Sequence, residues 1–135
     1  MDLIGVHPVK HSDLGFSNKL FGGKLLYWLD ADAAAYAMEV SDTHRMVTVS
    51  LDKCVWKKPS IEGHVIKIYA NVVKFGRSSV TLNVEARRHN VENGEQEVIL
   101  ATEIKFVKLD KDGNSVEITS KAKNKQTHKY GLHQI

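Results

Sequence analysis

The first long hydrophobic pattern of the chain, over residues 22–40, has the period of an α-helix. Its apolar residues recur three and four positions apart and form one broad stripe, comprising Leu25, Leu26, Leu29, Ala33, Tyr36 and Val40. The opposite side is also largely apolar, at Tyr27, Ala31, Ala35 and Met38, where a solvent-facing helix carries Lys, Glu and Gln. We therefore expect this helix to be covered on most sides, by a sheet of its own chain and by a second subunit.

Beyond the helix the period changes to two, which is typical of β-strands. Four long alternating segments are separated by turn residues, and two shorter strands are predicted beside them: 46–56, 64–76, 78–89 and 96–109, then 2–8 and SVEITS. One long helix with four or five long antiparallel strands indicates an α+β domain whose helix packs on the concave face of a curled sheet. We place this single domain at residues 1–120 and predict that 121–135 form a basic, mobile tail.

Composition excludes several classes of protein. The net charge of +3 is small and concentrated in the tail lysines, which argues against nucleic-acid binding in the absence of a recognised motif. No apolar run approaches the roughly 20 residues of a membrane span. Residues 1–13 lack the regions of a signal peptide and Cys54 is the only cysteine, so a cytoplasmic protein is expected. The seven histidines have no metal-ligand spacing, and no metal or cofactor is predicted.

Two carboxylates, Asp30 and Asp32, interrupt the apolar helix. They flank the apolar stripe on its two edges, so helical geometry alone does not say which of them matters. Carboxylates rarely enter a core unless a partner or a function holds them there. The simplest interpretation of each is a partly exposed group that a nearby lysine or hydroxyl satisfies.

Three segments resemble the hotdog-fold acyl-CoA thioesterases, the broad-specificity acyl-CoA thioester hydrolases. The stretch DLGFSNKLFGGKLLYWLD is similar to the family pattern Asp-x-Asn-x-x-Gly-x-x-Phe-Gly-Gly with an Asp nine residues after the Phe. VSLDKCVWKKPSIEGHVIKI and VVKFGRSSVTLNVEAR are similar to two later family stretches, so the resemblance covers about residues 7–108. It implies a hotdog fold, hydrolysis of acyl-CoA to fatty acid and CoA, and homodimers that often assemble as trimers of dimers.

The resemblance assigns the catalytic carboxylate to Asp30 and leaves Asp32 a bystander. Gly22 and Gly23 begin the helix, where free amide groups and the helix dipole favour the oxyanion of a thioester intermediate. A simpler role for them is to let the loop turn into the helix. Asp30 acts as general base or as nucleophile, and the sequence does not choose between these roles.

The spacing within the helix predicts a shared site. Asp30 follows Gly22 by eight residues and lies ~12 Å further along the helix, too far for one thioester group to touch both. If both are catalytic, they come from different subunits, which predicts a dimer with paired helices and two composite sites.

The CoA end of the substrate requires cations and hydrogen-bond donors. The turn Gly76, Arg77, Ser78 and Ser79 offers a guanidinium and two hydroxyls for phosphate contacts, or is simply a hairpin turn with an exposed arginine.

One departure from the family pattern concerns the Asn that positions substrate or water. This chain has Gly15 at that position and Asn18 where the family has Gly, so Asn18 is a candidate substitute. Asp13 is a second candidate carboxylate, for which turn formation or capping is the simpler role.

A non-catalytic acyl-CoA-binding module is the alternative function, and a hotdog dehydratase or hydratase is a weaker one because residues 21–40 contain no histidine.

Overall fold

The computed structural model describes the backbone of residues 1–130 and the side chains of residues 1–125. Its elements follow the chain in this order: β1 (Asp2–Pro8), a 3-10 turn (His11–Asp13), α1 (Gly22–Ser41), β2 (Met46–Trp56), β3 (Val65–Phe75), β4 (Ser79–His89), β5 (Gln96–Lys108) and α2 (Ser120–Tyr130). The five strands form one antiparallel sheet in the order β1-β3-β4-β5-β2. The predicted α+β architecture, a long helix and a curled antiparallel sheet in the hotdog arrangement, is confirmed.

The core lies between α1 and the concave face of the sheet. Alternate residues of β3 and β4 point inward and are almost fully buried, including Ile66, Ile68, Leu82 and Val84. The inward stripe of α1 covers them, with Leu29 and the neighbouring small residues inaccessible to solvent. The helix ends where Asp42 adopts the left-handed conformation (φ 54°), and the chain then enters β2.

The two ends of the sheet order, β1 and β2, are its free edges. β2 is interrupted by two bulges, one between Thr48 and Ser50 and one between Asp52 and Val55. Lys53 in the second bulge has φ 54°. Bulges increase the local twist of an edge strand, so β2 curls along the flank of α1.

The segment SVEITS is not a strand, contrary to the prediction. A single bridge joins Leu109 and Ser115, and the chain then crosses to the β3–β4 turn. There the Ile118 amide donates to the carbonyl of Arg77 (2.9 Å), and the Ile118 side chain is completely buried. Burial of this one side chain directs the segment over the core instead of along the sheet edge.

The segment predicted as a mobile tail contains the helix α2. The Thr119 hydroxyl accepts a hydrogen bond from the Ala122 amide (3.2 Å) and caps the helix start. Ala122 is fully buried, and Lys125 Nζ donates to the carbonyl of Glu39 (3.3 Å) and to Asp42 Oδ1 (2.5 Å) at the end of α1. α2 therefore packs on the domain and compensates the negative end of the α1 dipole. Residues 131–135 of the predicted tail lie outside the described residues.

Candidate active site

Two backbone amides at the start of α1 lack acceptors among the described residues. Phe21, in an extended conformation, precedes the helix and has no side-chain cap, and its carbonyl accepts the amides of Lys24 (3.0 Å) and Leu25 (3.1 Å). The amides of Gly22 and Gly23 point out of the first turn without such a partner. This end of α1 is thus able to donate two hydrogen bonds to an oxyanion.

The glycines also keep this turn unobstructed. A Cβ added to Gly22 would lie 3.2 Å from the indole Nε1 of Trp56, and one added to Gly23 would lie 2.7 Å from Cε2 of Phe21. Both aromatic rings are about half exposed or more, so the amides lie at an open surface between aromatic side chains.

The loop before α1 contains Asn18. The Asn18 amide donates to the carbonyl of Gly15 (3.2 Å), and the Gly15 amide donates to the carbonyl of Lys19 (2.7 Å), which closes a tight turn. Asn18 is exposed with φ 60°, a left-handed conformation that asparagine tolerates better than most residues. The exchange of Gly15 and Asn18 relative to the family pattern therefore suits the local backbone.

Asp30 is held by a threonine that the sequence analysis did not identify. Thr48 on β2 donates from Oγ1 to Asp30 Oδ1 (2.9 Å), and both side chains are partly buried. No other hydrogen bond reaches Asp30 from the described residues, which leaves Oδ2 open to a substrate or a water molecule. The sequence gives no signal for Thr48, because Val47, Val49 and Leu51 form the apolar face of the alternating strand and Thr48 falls on the polar one.

The side of α1 that carries Asp30 and the adjoining edge strand β2 expose apolar side chains in the single chain. On α1, Tyr27 and Ala31 are exposed, which agrees with the apolar far side identified from the sequence. On β2, Leu51 and Trp56 pair in register with Ile104 and with Leu100, two buried residues of the concave face, yet 38% and 49% of their surfaces are accessible. The concave face is incompletely covered beside the free edge of the sheet.

The side chain of Asp13 stabilises the loop before α1. Its carboxylate is buried, accepts the Lys10 amide at Oδ2 (2.9 Å) and lies 3.7 Å from Lys24 Nζ. Its own carbonyl accepts the Phe21 amide (3.0 Å). These contacts correspond to the turn-capping role, and they fix the loop that leads into the Gly22 turn.

Asp32 has a partner on the opposite side of α1 from Asp30. His7 Nε2 lies 2.7 Å from Asp32 Oδ2, and the imidazole stacks on Trp28 with ring centroids 4.7 Å apart. Gly5 on the same strand makes this possible, because a Cβ there would lie 2.6 Å from the Asp32 carboxyl carbon. Asp32 thus connects β1 to the helix, and a histidine satisfies it instead of the expected lysine or hydroxyl.

The turn of Gly76, Arg77, Ser78 and Ser79 lies at the C-terminal end of α1, far along the helix from Gly22. The Gly76 amide donates to the Ser79 carbonyl (2.8 Å), and the Ser78 carbonyl accepts the Lys108 amide (2.8 Å). Lys123 Nζ donates to the Arg77 carbonyl (3.5 Å), while the Arg77 guanidinium is exposed. The turn is well anchored and offers its cation to solvent.

Metal binding and thiol catalysis are two other kinds of chemistry that the described part of the chain could offer. No group of three or more His, Cys, Asp or Glu side chains is placed to hold a metal ion there. Burial raises the pKa of the Cys54 thiol, which makes it a poor nucleophile.

Within the described residues, neither helix combines the length and the apolar character that a membrane crossing requires.

Comparisons with known proteins identify the family of the chain. Residues 18–99 match the family model described as thioesterase superfamily. An uncharacterized acyl-CoA thioester hydrolase of Haemophilus influenzae is 31% identical over 107 residues, which are 77% of this chain and 69% of that protein. The acyl-CoA thioester hydrolase YciA of Escherichia coli K12 is 29% identical over 105 residues, 76% of this chain and 79% of that protein.

Solved structures show the same fold. A variant of HI0827, described as a hexameric broad specificity acyl-coenzyme A thioesterase, superposes with a TM-score of 0.88 and 28% identity over 99% of this chain and 96% of its own. Cj0915, a hexameric hotdog fold thioesterase of Campylobacter jejuni, superposes with a TM-score of 0.84 and 27% identity over 93% of this chain and 96% of its own.

Against several curated relatives, including one from Buchnera at 54%, the match spans little more than half of that protein's length. The family model nevertheless covers more than half of the present chain, and its match begins in the loop before α1 and ends in β5. It includes the free amides of Gly22 and Gly23, the carboxylate of Asp30 and the anchored turn at Arg77. The chain belongs to the thioesterase superfamily.

Proposed function

We propose that this protein hydrolyses acyl-CoA thioesters to a carboxylic acid and CoA at sites shared by two copies of the chain. The observation that carries the proposal is the separation of the two chemical groups on α1. The amides of Gly22 and Gly23 and the carboxylate of Asp30 lie ~12 Å apart on one rigid helix. A second chain that packs antiparallel against α1 would bring its Asp30 to these amides.

The chemistry divides between the two groups. The amides stabilise the negative charge that develops on the thioester carbonyl oxygen, in a place where the helix dipole adds to the effect. Asp30 either removes a proton from the attacking water or attacks the carbonyl itself. Thr48 holds Oδ1 and orients Oδ2 toward the substrate.

The CoA part of the substrate is assigned to the turn at residues 76–79. The exposed guanidinium of Arg77 suits a phosphate group, and the hydroxyls of Ser78 and Ser79 add donors. Asn18, next to the Gly22 turn, is proposed to orient the thioester or the water in place of the family Asn that Gly15 has lost.

The exposed apolar surface of the single chain also suggests how two copies assemble. The apolar side of α1 and the free edge at β2 are the parts that a second copy covers, and two such edges together form one continuous sheet. Two of the similar structures are described as hexameric, which supports a trimer of such dimers for this chain.

A thiol-release assay over a panel of acyl-CoAs tests the activity. Wild type is expected to release CoA, and Asp30→Asn is expected to lose at least about a hundredfold in kcat because the carboxylate acts at the reacting carbonyl. Asp32→Asn is the matched control on the same helix, since its carboxylate faces His7. Saturable acyl-CoA binding by wild type without any thiol release would overturn the proposal in favour of a binding module.

The shared site has a separate test in mixed dimers. Gly22→Pro removes one amide N–H at the first position of the helix, which proline tolerates because Phe21 is already extended. Gly22→Ala adds a side chain but keeps the N–H and is the matched control. Inactive Asp30→Asn and inactive Gly22→Pro chains, mixed after dissociation, are expected to regain activity because each hybrid dimer has one intact site. Absence of recovery in demonstrated hybrids would contradict the composite site.

A further inference from the structure

A groove of about 340 Å³ begins beside the free amide of Gly22 and combines an apolar floor with a basic rim. The buried side chains of Leu25 and Ile99 contribute to the floor, and Trp56 and Leu20 flank it. The rim carries three lysines, Lys19, Lys57 and Lys58, and no acidic residue lines the groove. Each of the four other grooves described on this chain includes at least two carboxylates.

Two of the three lysines have no compensating charge. Lys58 Nζ contacts Glu97 Oε2 (2.7 Å), a contact that also lowers the pKa of the Glu97 carboxyl, and Arg88 adds to this cluster. Lys19 and Lys57 form no ion pair with any carboxylate in the described part of the chain. Their positive charge is therefore available to a bound anion.

The position of the groove indicates which part of a substrate enters it. Gly22 lines the groove and also donates the amide assigned to the thioester carbonyl, so the groove adjoins the reacting carbon. The acyl chain is bonded directly to that carbon, whereas the whole pantetheine arm separates it from the CoA phosphates.

We infer that this groove binds the acyl chain and that Lys19 and Lys57 make the enzyme prefer acyl groups ending in a carboxylate, the CoA monothioesters of dicarboxylic acids. The methylene carbons pack on Leu25, Ile99 and Trp56, and the distal carboxylate meets the two lysines at the rim. This inference rests on the proposed acyl-CoA hydrolysis and specifies its substrate class.

Matched pairs of substrates test the preference. Adipoyl-CoA and hexanoyl-CoA have the same chain length and differ in one terminal carboxylate, as do glutaryl-CoA and pentanoyl-CoA. Wild type is expected to show a higher kcat/KM for the dicarboxylyl member of each pair. In Lys19→Gln/Lys57→Gln the adipoyl-to-hexanoyl ratio of kcat/KM is expected to fall about fivefold or more, because two partly exposed charge contacts are lost. Raising the ionic strength is expected to reduce the wild-type ratio in the same direction.

Lys58→Gln is the matched control, because Glu97 already neutralises that lysine, and it is expected to keep the wild-type ratio. An equal loss for both members of a pair in the double variant would place the two lysines on the CoA phosphates and overturn the inference. An unchanged ratio in the double variant would overturn it as well.

Binding separates this inference from the proposed reaction. In the Asp30→Asn background, calorimetric titration is expected to give tighter binding of adipoyl-CoA than of hexanoyl-CoA, and the difference is expected to disappear with the two lysine substitutions. Equal affinities in the Asp30→Asn background would overturn the inference even if hydrolysis is observed. A difference that depends on the lysines would support the groove assignment even if wild type released no thiol, a result in which the proposed reaction alone fails.

Discussion

A threonine and an aspartate on different elements make the central side-chain contact of the candidate site. Thr48 and Asp30 are 18 residues apart, and their hydrogen bond exists only because β2 curls along the flank of α1. A hydrogen bond to a charged acceptor contributes more than a neutral one, and here it also fixes the rotamer that exposes Oδ2. Its loss is expected to affect the reaction more than the stability of the fold.

Thr48→Val tests this role. The variant keeps the shape of the side chain and removes the donor, so kcat is expected to fall about 10- to 150-fold, in line with roughly 1.5–3 kcal/mol for a hydrogen bond to a charged group. Thr48→Ser retains the hydroxyl and is expected to stay within about threefold of wild type. Steady-state kinetics with one acyl-CoA and thermal unfolding of all three proteins give the comparison. Wild-type kcat in Thr48→Val would show that the hydrogen bond does not orient the carboxylate.

Individual residues also show which contacts the sequence alone predicts and which it does not. The position of Asp30 in the helix and the glycines before it follow from spacing along one element, which the sequence contains. The pairing of Asp32 with His7 depends on β1 and α1 meeting across 25 residues and on the missing Cβ of Gly5, so no local pattern reveals it. The contact of Asp13 with Lys24 has the same non-local origin, since Lys24 belongs to the helix, whereas its hydrogen bond with the Lys10 amide is local.

At the scale of elements, segments with a regular hydrophobic period were predicted correctly, whereas the segment after residue 109, which has no such period, was not. The alternation in β3 to β5 and the 3.6-residue stripe of α1 are repeated many times, so each element is specified redundantly. The segment after residue 109 has few apolar residues, and two of them, Ile118 and Ala122, direct it across the core. A pattern of two residues is too short to distinguish a strand from a loop and helix.

Ala122→Asp tests whether α2 is an integral part of the domain. A carboxylate in place of a fully buried methyl group is expected to lower the free energy of unfolding by about 2–4 kcal/mol, because the ionised group loses its hydration there. Asn124→Asp adds the same single negative charge at an exposed position of the same helix and is the control. Urea unfolding measures both variants. Equal stability of Ala122→Asp and the control would mean that the helix does not pack on the domain in solution.

The connection between β2 and β3 contains a pH-sensitive contact. His64 Nδ1 accepts the Ile61 amide (3.1 Å) and lies 2.8 Å from the buried Ser60 hydroxyl, so the turn requires a neutral imidazole. Burial, and secondarily the positive charge of Arg88, lowers the pKa of His64. The carboxylates of Glu95 and Glu97 line a separate small pocket together with His64 and Arg88, but they do not reverse the lowering of the His64 pKa.

The stability provided by neutral His64 is complete above the unfolded-state pKa of 6.5 and declines as the pH falls below it, because the unfolded chain then binds the proton more readily. His64→Asp supplies acceptors that remain charged at pH 5. Between pH 7.5 and pH 5, wild type is therefore expected to lose more stability than His64→Asp in urea unfolding. His11→Asp, at an exposed position, controls for general charge effects. Parallel pH profiles of wild type and His64→Asp would contradict the requirement for a neutral imidazole.

At the scale of the whole molecule, the proposed function divides each active site between two copies of the chain. The groove with its basic rim and the free amides lie at one end of α1, and the carboxylate lies two turns along it. The exposed edge β2 and the exposed apolar side chains around Asp30 occupy the same side of the molecule. A surface of this kind is typical of an interface between identical subunits.

Leu51→Glu places a charge on this surface and tests whether activity needs assembly. Leu51 lies on the concave face and is 38% exposed in the single chain, so the substitution costs the isolated chain little. In the proposed dimer a second copy would bury the added carboxylate without a partner, which would strongly destabilise the interface. We expect a folded monomer by light scattering and circular dichroism, with thiol release reduced to background because neither composite site forms. Val91→Glu, an exposed position in the β4–β5 connection, is expected to keep both assembly and activity. A monomeric Leu51→Glu protein with wild-type kcat would show that one chain carries a complete active site.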